Sequence, residues 1–195
     1  MPAIPLFPPF GTDINLTEGV MQNPDNRIER RASDMRGYYA NPNALEALIR
    51  NGDPVLYEVF EKDIPDEKGH LRVAISQIQP GTVGEECAMT KGHYHAVPGT
   101  GEVYLGLKGR GRILMKTAEG KTTEEDMTPG RMVYVPPYWA HRSVNTGDEP
   151  LIFFCVWPGS AGHNYGDIER EGFPQRVVKR NGEIQIVRCE DDRSG

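Results

Sequence analysis

Short apolar segments broken at close intervals constrain this chain more than any other feature. From about residue 54, VLYEVFEKD, LRVAISQIQP, EVYLGLKG, GRILMKT, RMVYVP, HRSVNT, PLIFFCVWP and EIQIVR follow one another, each rich in β-branched or aromatic residues. Glycine, proline, aspartate or asparagine cuts them apart, and 22 Gly and 16 Pro in 195 residues provide the breaks. Regular turn signals between short strands predict an all-β sandwich or barrel. TAEGKT (117–122) and RNGE (180–183) read as hairpin turns, the second on an Asn-Gly pair. One stretch departs from the pattern. In NPNALEALIRNG (41–52), Asn41 suits the N-cap, Pro42 the first helical position and Gly52 the C′ stop, which predicts a helix.

The ends of the chain read differently. The first thirty or so residues are proline-rich (Pro2, Pro5, Pro8, Pro9) and lack sustained periodicity. Residues 1–35 are therefore expected to form a surface arm or an extended partner-binding piece, 36–190 the barrel, and 191–195 a tail. A formal charge of −6 leaves no basic stripe for nucleic acid. No run approaches the roughly 18 apolar residues needed to span a membrane. The N-terminus has neither the charged region nor the apolar stretch of a secretory signal. Cys87, Cys155 and Cys189 lie far apart without metal or redox spacing, which suits a reduced, cytoplasmic compartment.

Chemistry concentrates in TKGHYHAVPGTGEVYLGLKG (90–109). His93 and His95 are two residues apart, so on a strand both imidazoles project from one face. Glu102 opens the next apolar alternation, Glu-Val-Tyr-Leu, after the loop AVPGTG. A strand, a loop and a returning strand bring that carboxylate beside the imidazoles. GRMVYVPPYWAHRSVN (130–145) supplies His141 at the start of another strand. Three imidazoles and a carboxylate on facing strands make a divalent-metal site with room for water or substrate. A polar strand face without metal is the alternative. His70, in the charged turn DEKGH, reads as a surface histidine. Lys91 alternates with the histidine pair and is expected to face away from it. Lys108 and Arg110, in LKGRGR, read as a basic hairpin tip, because no GxGxxG order and no helix pattern follow.

The run Gly92-His93-Tyr94-His95, with Glu102 and Gly109, resembles the first motif of the cupin family, although the gap from His95 to Glu102 is longer than usual. Gly130, Pro136, His141 and Asn145 resemble the second motif in spacing, with Tyr138 where many cupins have glycine. TKGHYHA, GEVYLGLKGRGRILM, VYVPPYWAHRSVNTGDEPLIFF and AGHNYG resemble one branch, the cupin-type glucose-6-phosphate isomerases known from archaea and some bacteria. The likeness runs from about Ser33 to about Val187.

That resemblance implies a single cupin barrel (a double-stranded β-helix or jelly roll) with an N-terminal arm and a short helix. It implies one divalent metal on His93, His95, Glu102 and His141, natively iron(II), with manganese, nickel, cobalt or zinc also suited to the ligands. The implied reaction is the interconversion of glucose 6-phosphate and fructose 6-phosphate, in a cytoplasmic homodimer of glycolysis and gluconeogenesis. Glu102 is the candidate base, carrying a proton between C1 and C2. Metal ligation lowers a carboxylate's basicity, so a hydride shift with Glu102 only as ligand stands beside that route. The implied substrate contacts are Ser76, Thr90, Gly92, Tyr104, Tyr138, Trp157, His163 and Tyr165. Among them, Thr90 offers a hydroxyl and Gly92 an N–H to phosphate oxygens, and the Trp157 indole stands where relatives often have tyrosine. Two competing readings keep the fold: a small-molecule dioxygenase on the same ligands, and a non-catalytic sugar-binding cupin.

Overall fold

Segments that alternate at a period of two become strands in the computed structural model, which describes residues 6–189. Among these residues the strands are β1 (Ile14–Asn15), β2 (Val20–Met21), β3 (Asn26–Arg31), β4 (Val55–Glu61), β5 (Leu71–Ile78), β6 (Thr82–Val83), β7 (Glu86–Cys87), β8 (Glu102–Lys108), β9 (Gly111–Lys116), β10 (Thr122–Met127), β11 (Met132–Val135), β12 (Ala140–Asn145), β13 (Leu151–Pro158), β14 (Gln175–Arg180) and β15 (Glu183–Arg188). Helix α1 spans Pro42–Arg50 and α2 Gly166–Glu171. Six strands form one sheet in the order β11-β8-β13-β5-β4-β3. Facing elements are the sheets β10-β9-β12 and β15-β14-β7-β6, with β1-β2 as a separate hairpin. Every strand pairing is antiparallel.

The run LIFFCVW explains how the large sheet is held. Leu151, Phe153, Cys155 and Trp157 point into the main core, with Tyr104 and Ala74 from the neighbouring strands. Ile152 points the other way, into a second cluster with Met21 and Ile75, against which Phe154 and Ile14 pack. A strand covered on both faces needs apolar residues at nearly every position, which is why β13 lacks alternation. Each such side chain contributes about 1.5–3 kcal/mol of burial.

The helix and both hairpins form where the local chemistry placed them. Asn41 Oδ1 accepts the Ala44 N–H at 2.9 Å, and Gly52 takes a φ of 110° just past the helix. Residues 117–121 join β9 to β10, and Asn181 and Gly182, both at positive φ, join β14 to β15. The N-terminal arm is a correction. Residues 26–31 pair along their length with β4, and Met21, Ala32 and Met35 are fully buried. NRIERR hides this role because an edge strand carries polar side chains, and its apolar anchors lie in the flanking residues. The expected tail, 191–195, lies outside the described residues, as do residues 1–5 and 190.

Candidate active site

Two regular strands and one irregular segment build the site. Glu102 starts β8, with Tyr104 two residues on and on the same inward face; both are buried. His141 is the second residue of β12, all of which is buried. His93 and His95 lie between β7 and β8 and are held by isolated bridges rather than by a continuous strand. His93 N–H donates to the His141 carbonyl at 3.1 Å, and His141 N–H donates back to the His93 carbonyl at 3.0 Å. Tyr94 makes the same reciprocal pair with Asn164. Just upstream, the Lys91 carbonyl accepts from Arg142 Nε at 3.2 Å and Nη2 at 2.7 Å. Arg142 is itself buried, with its guanidinium 4.6 Å from the Phe173 ring centroid. Gly92, at φ +74°, then turns the chain so that the histidines face inward.

The four side chains converge. One ligand atom from each of His93, His95, Glu102 and His141 lies within 4.8 Å of the others. Glu102 Oε2 is 3.1 Å from His95 Nε2 and 3.2 Å from His141 Nε2. His95 Nδ1 lies 3.0 Å from the Thr100 carbonyl, which only an N–H can satisfy. In the neutral ring that leaves Nε2 as a lone pair aimed at a carboxylate, an arrangement that calls for a cation between them. His93 Nε2 and both ring nitrogens of His141 are buried without a hydrogen-bond partner. The donor set therefore fits a divalent metal ion. Burial alone would raise the Glu102 carboxyl, yet the adjacent His141 and His95 imidazoles hold it down at about 2. Burial and three neighbouring imidazoles push His93 well below the usual histidine range. His95 shifts the other way: burial opposes its charge, but the bond to Glu102 wins and its pKa rises.

A cavity of about 440 Å³ opens beside this cluster. Its lining includes His93, Glu102 and His141 together with the expected contacts Ser76, Thr90, Gly92, Tyr104, Trp157, His163 and Tyr165. His163 lies 4.4 Å from His93 between ring centroids, with Tyr165 stacked on it at 5.8 Å. Tyr138 is not brought there. It sits at φ +71°, two-thirds exposed, and lines a separate hollow behind His95 with Trp139 and Pro98. The left-handed turn after Pro136-Pro137 sends its ring outward. Lys91 contributes to the lining of the same cavity as His93, with its Nζ 5.2 Å over the Tyr38 ring. Sequence patterns gave no sign of Tyr57, Arg30, Cys155 or the buried pair Arg72–Glu61 (2.9 Å), all on the cavity wall. Only strand register places them there.

A family profile described as glucose-6-phosphate isomerase (GPI) matches residues 29–194. The chain belongs to the glucose-6-phosphate isomerase family. Its relatives include the glucose-6-phosphate isomerase of Thermococcus gammatolerans, 48% identical over 92% of this chain and 94% of that one. The enzyme of the same name from Thermococcus litoralis is 44% identical over 91% and 93%. Among solved structures, oxalate decarboxylase from Bacillus subtilis resembles it with a TM-score of 0.44 and 24% identity, over 55% of this chain and 26% of that one. The isomerase family match covers both histidine segments, Glu102 and the last three residues of β3.

Proposed function

We propose that this isomerase interconverts glucose 6-phosphate and fructose 6-phosphate, with one divalent cation, natively iron(II), held by His93, His95, Glu102 and His141. The observation that carries this reading is the convergence of four buried or half-buried ligand side chains, three of which line a sugar-sized cavity, in a chain of this family. When bound, the cation supplies Lewis-acid stabilisation of the negative charge that grows on the C1 and C2 oxygens. Glu102 presents Oε2 to the two imidazoles. Its other oxygen is the one left for substrate, and we assign to it the transfer of a proton between C1 and C2. The buried Tyr104 hydroxyl reaches Glu102 and orients the carboxylate. Ser76, Thr90 and the Gly92 N–H are assigned to the phosphate. Trp157, His163 and Tyr165 are assigned to the sugar's flank, and Tyr138, turned outward, has no part in this reading.

The proposal extends to a cytoplasmic homodimer working in glycolysis and gluconeogenesis. Cys87, Cys155 and Cys189 are free, which supports a reducing compartment. Among the described residues no helix is long and apolar enough to cross a membrane. Leu105, Met132 and Tyr134 lie side by side and exposed on the outer face of β8 and β11, which supports a second subunit there.

The test is turnover of fructose 6-phosphate, read through coupled glucose-6-phosphate dehydrogenase. Chelation abolishes activity, and iron(II) or manganese(II) restores it. A reloaded protein that turns over neither sugar phosphate overturns the isomerase reading. Glu102→Gln lowers kcat by about 10²- to 10⁴-fold, the usual share of a general base. A near-normal rate in that variant removes the proton transfer from Glu102.

A further inference from the structure

With a formal charge of −6, the chain as a whole repels a phosphate dianion, so recognition of one needs a local cationic site. Besides Arg72, which is paired with Glu61, two cations line the cavity: Arg30, from β3, and Lys91, from the segment ahead of His93. Register fixes the first. Tyr57 pairs with Arg30 on one side and Ile78 on the other, and Val59 pairs with Ser76, so Arg30 stands on the same face as Ser76 and two residues along from its level. The Arg30 side chain and the Lys91 backbone both reach the Tyr57 hydroxyl. This ties two residues far apart in sequence to one point.

Their charges stand out against their neighbours. On the same strand Arg27 pairs with Glu58 and Arg31 with Glu29, whereas among the described residues Arg30 and Lys91 make no ion pair. Lys91 Nζ instead lies 5.2 Å over the Tyr38 ring. Asp34 and Glu169 act on it only through space. Two like charges beside one cavity repel each other until an anion sits between them. A guanidinium can grip a phosphate through two parallel N–H groups, and an ammonium adds a point charge.

We propose that Arg30 and Lys91 are the charge partners of the substrate phosphate and set the preference for phosphorylated over unphosphorylated sugars. This rests on the isomerase reading and adds to it the two residues that supply the charge. The experiment uses the metal-loaded full chain with Arg30→Met, Lys91→Met, the double variant and Arg30→Lys. Each Met substitution is expected to raise KM for fructose 6-phosphate by about 10- to 100-fold, the worth of a hydrogen bond to a charged group. The value of kcat stays within about threefold, since the reacting carbons are not touched. Arg30→Lys recovers part of the loss, and the salt dependence of kcat/KM flattens in the double variant. Independently of turnover, calorimetry of inorganic phosphate with metal-free protein shows binding to the wild type that weakens in the double variant. Unchanged KM together with unchanged phosphate affinity in the double variant overturns the proposal, as does a fall in kcat alone. A wild type that binds phosphate through these residues yet isomerises nothing supports the phosphate site and overturns only the isomerase reading.

Discussion

Gly92 shows how much of the site depends on one residue. Its φ of +74° is a conformation that L side chains rarely adopt, and a Cβ there would stand 2.9 Å from the His141 carbonyl oxygen and 2.9 Å from Phe173 Cε2. Neither neighbour is free to give way, because that carbonyl pairs with His93 and the Phe173 ring packs against Arg142. Gly92→Ala is therefore expected to destabilise the protein by about 1–3 kcal/mol, the range for a strained backbone position, and to lower metal content by displacing His93. Urea unfolding and metal analysis of the purified variant check both effects. Normal stability with full metal would mean that the backbone turn does not aim the histidines.

At the level of elements, the segment from β3 through the buried turn at Ala32–Met35 decides whether the N-terminal region is fold or appendage. Met35 is fully buried in the main core. Met35→Ala should cost about 2–5 kcal/mol, as for other large-to-small changes in a core. A residue on a surface arm would move stability by no more than about 0.5 kcal/mol. Thermal or urea melts separate the two outcomes. The same comparison shows what the sequence could reveal. Helix α1 and the β14–β15 hairpin were legible because a cap, a proline and an Asn-Gly pair act locally. His93, His95, Glu102 and His141 were legible because their residue types have few other reasons to recur at that spacing. Strand β3 was not, because its stability comes from pairing with a partner some thirty residues away while its own side chains stay polar. Tyr138 was misplaced because a left-handed backbone at that residue resets which way its side chain points.

For the whole molecule, the buried histidines link stability to pH. His93 is held below its ordinary value of 6.5, so as pH falls through that value the unfolded chain takes up a proton that the folded chain refuses. Folding of the metal-free protein therefore weakens below about pH 6.5. Glu102, held at about 2 against an ordinary 4.5, adds stability that is present above 4.5 and lost as pH falls from there towards 2. His95, raised by Glu102, works in the opposite sense: its contribution is fully present below 6.5 and fades as pH rises through its folded value. It thus offsets part of the His93 loss in mildly acidic solution, and the steep loss comes once Glu102 protonates. Urea titrations of chelator-treated protein between about pH 7.5 and pH 3 measure this course. Metal-loaded protein should be more stable near neutrality and lose that advantage on acidification, because protons compete for the same ligand atoms.

The reciprocal peptide bonds between His93 and His141 have one more consequence. Two of the four jaws around the ion are spaced by main chain, not by the ion they grip. A vice set in this way keeps its opening when nothing is clamped in it. Ions of similar radius can then be exchanged without the surrounding barrel coming apart, so the choice among them falls to whatever the cell has in supply.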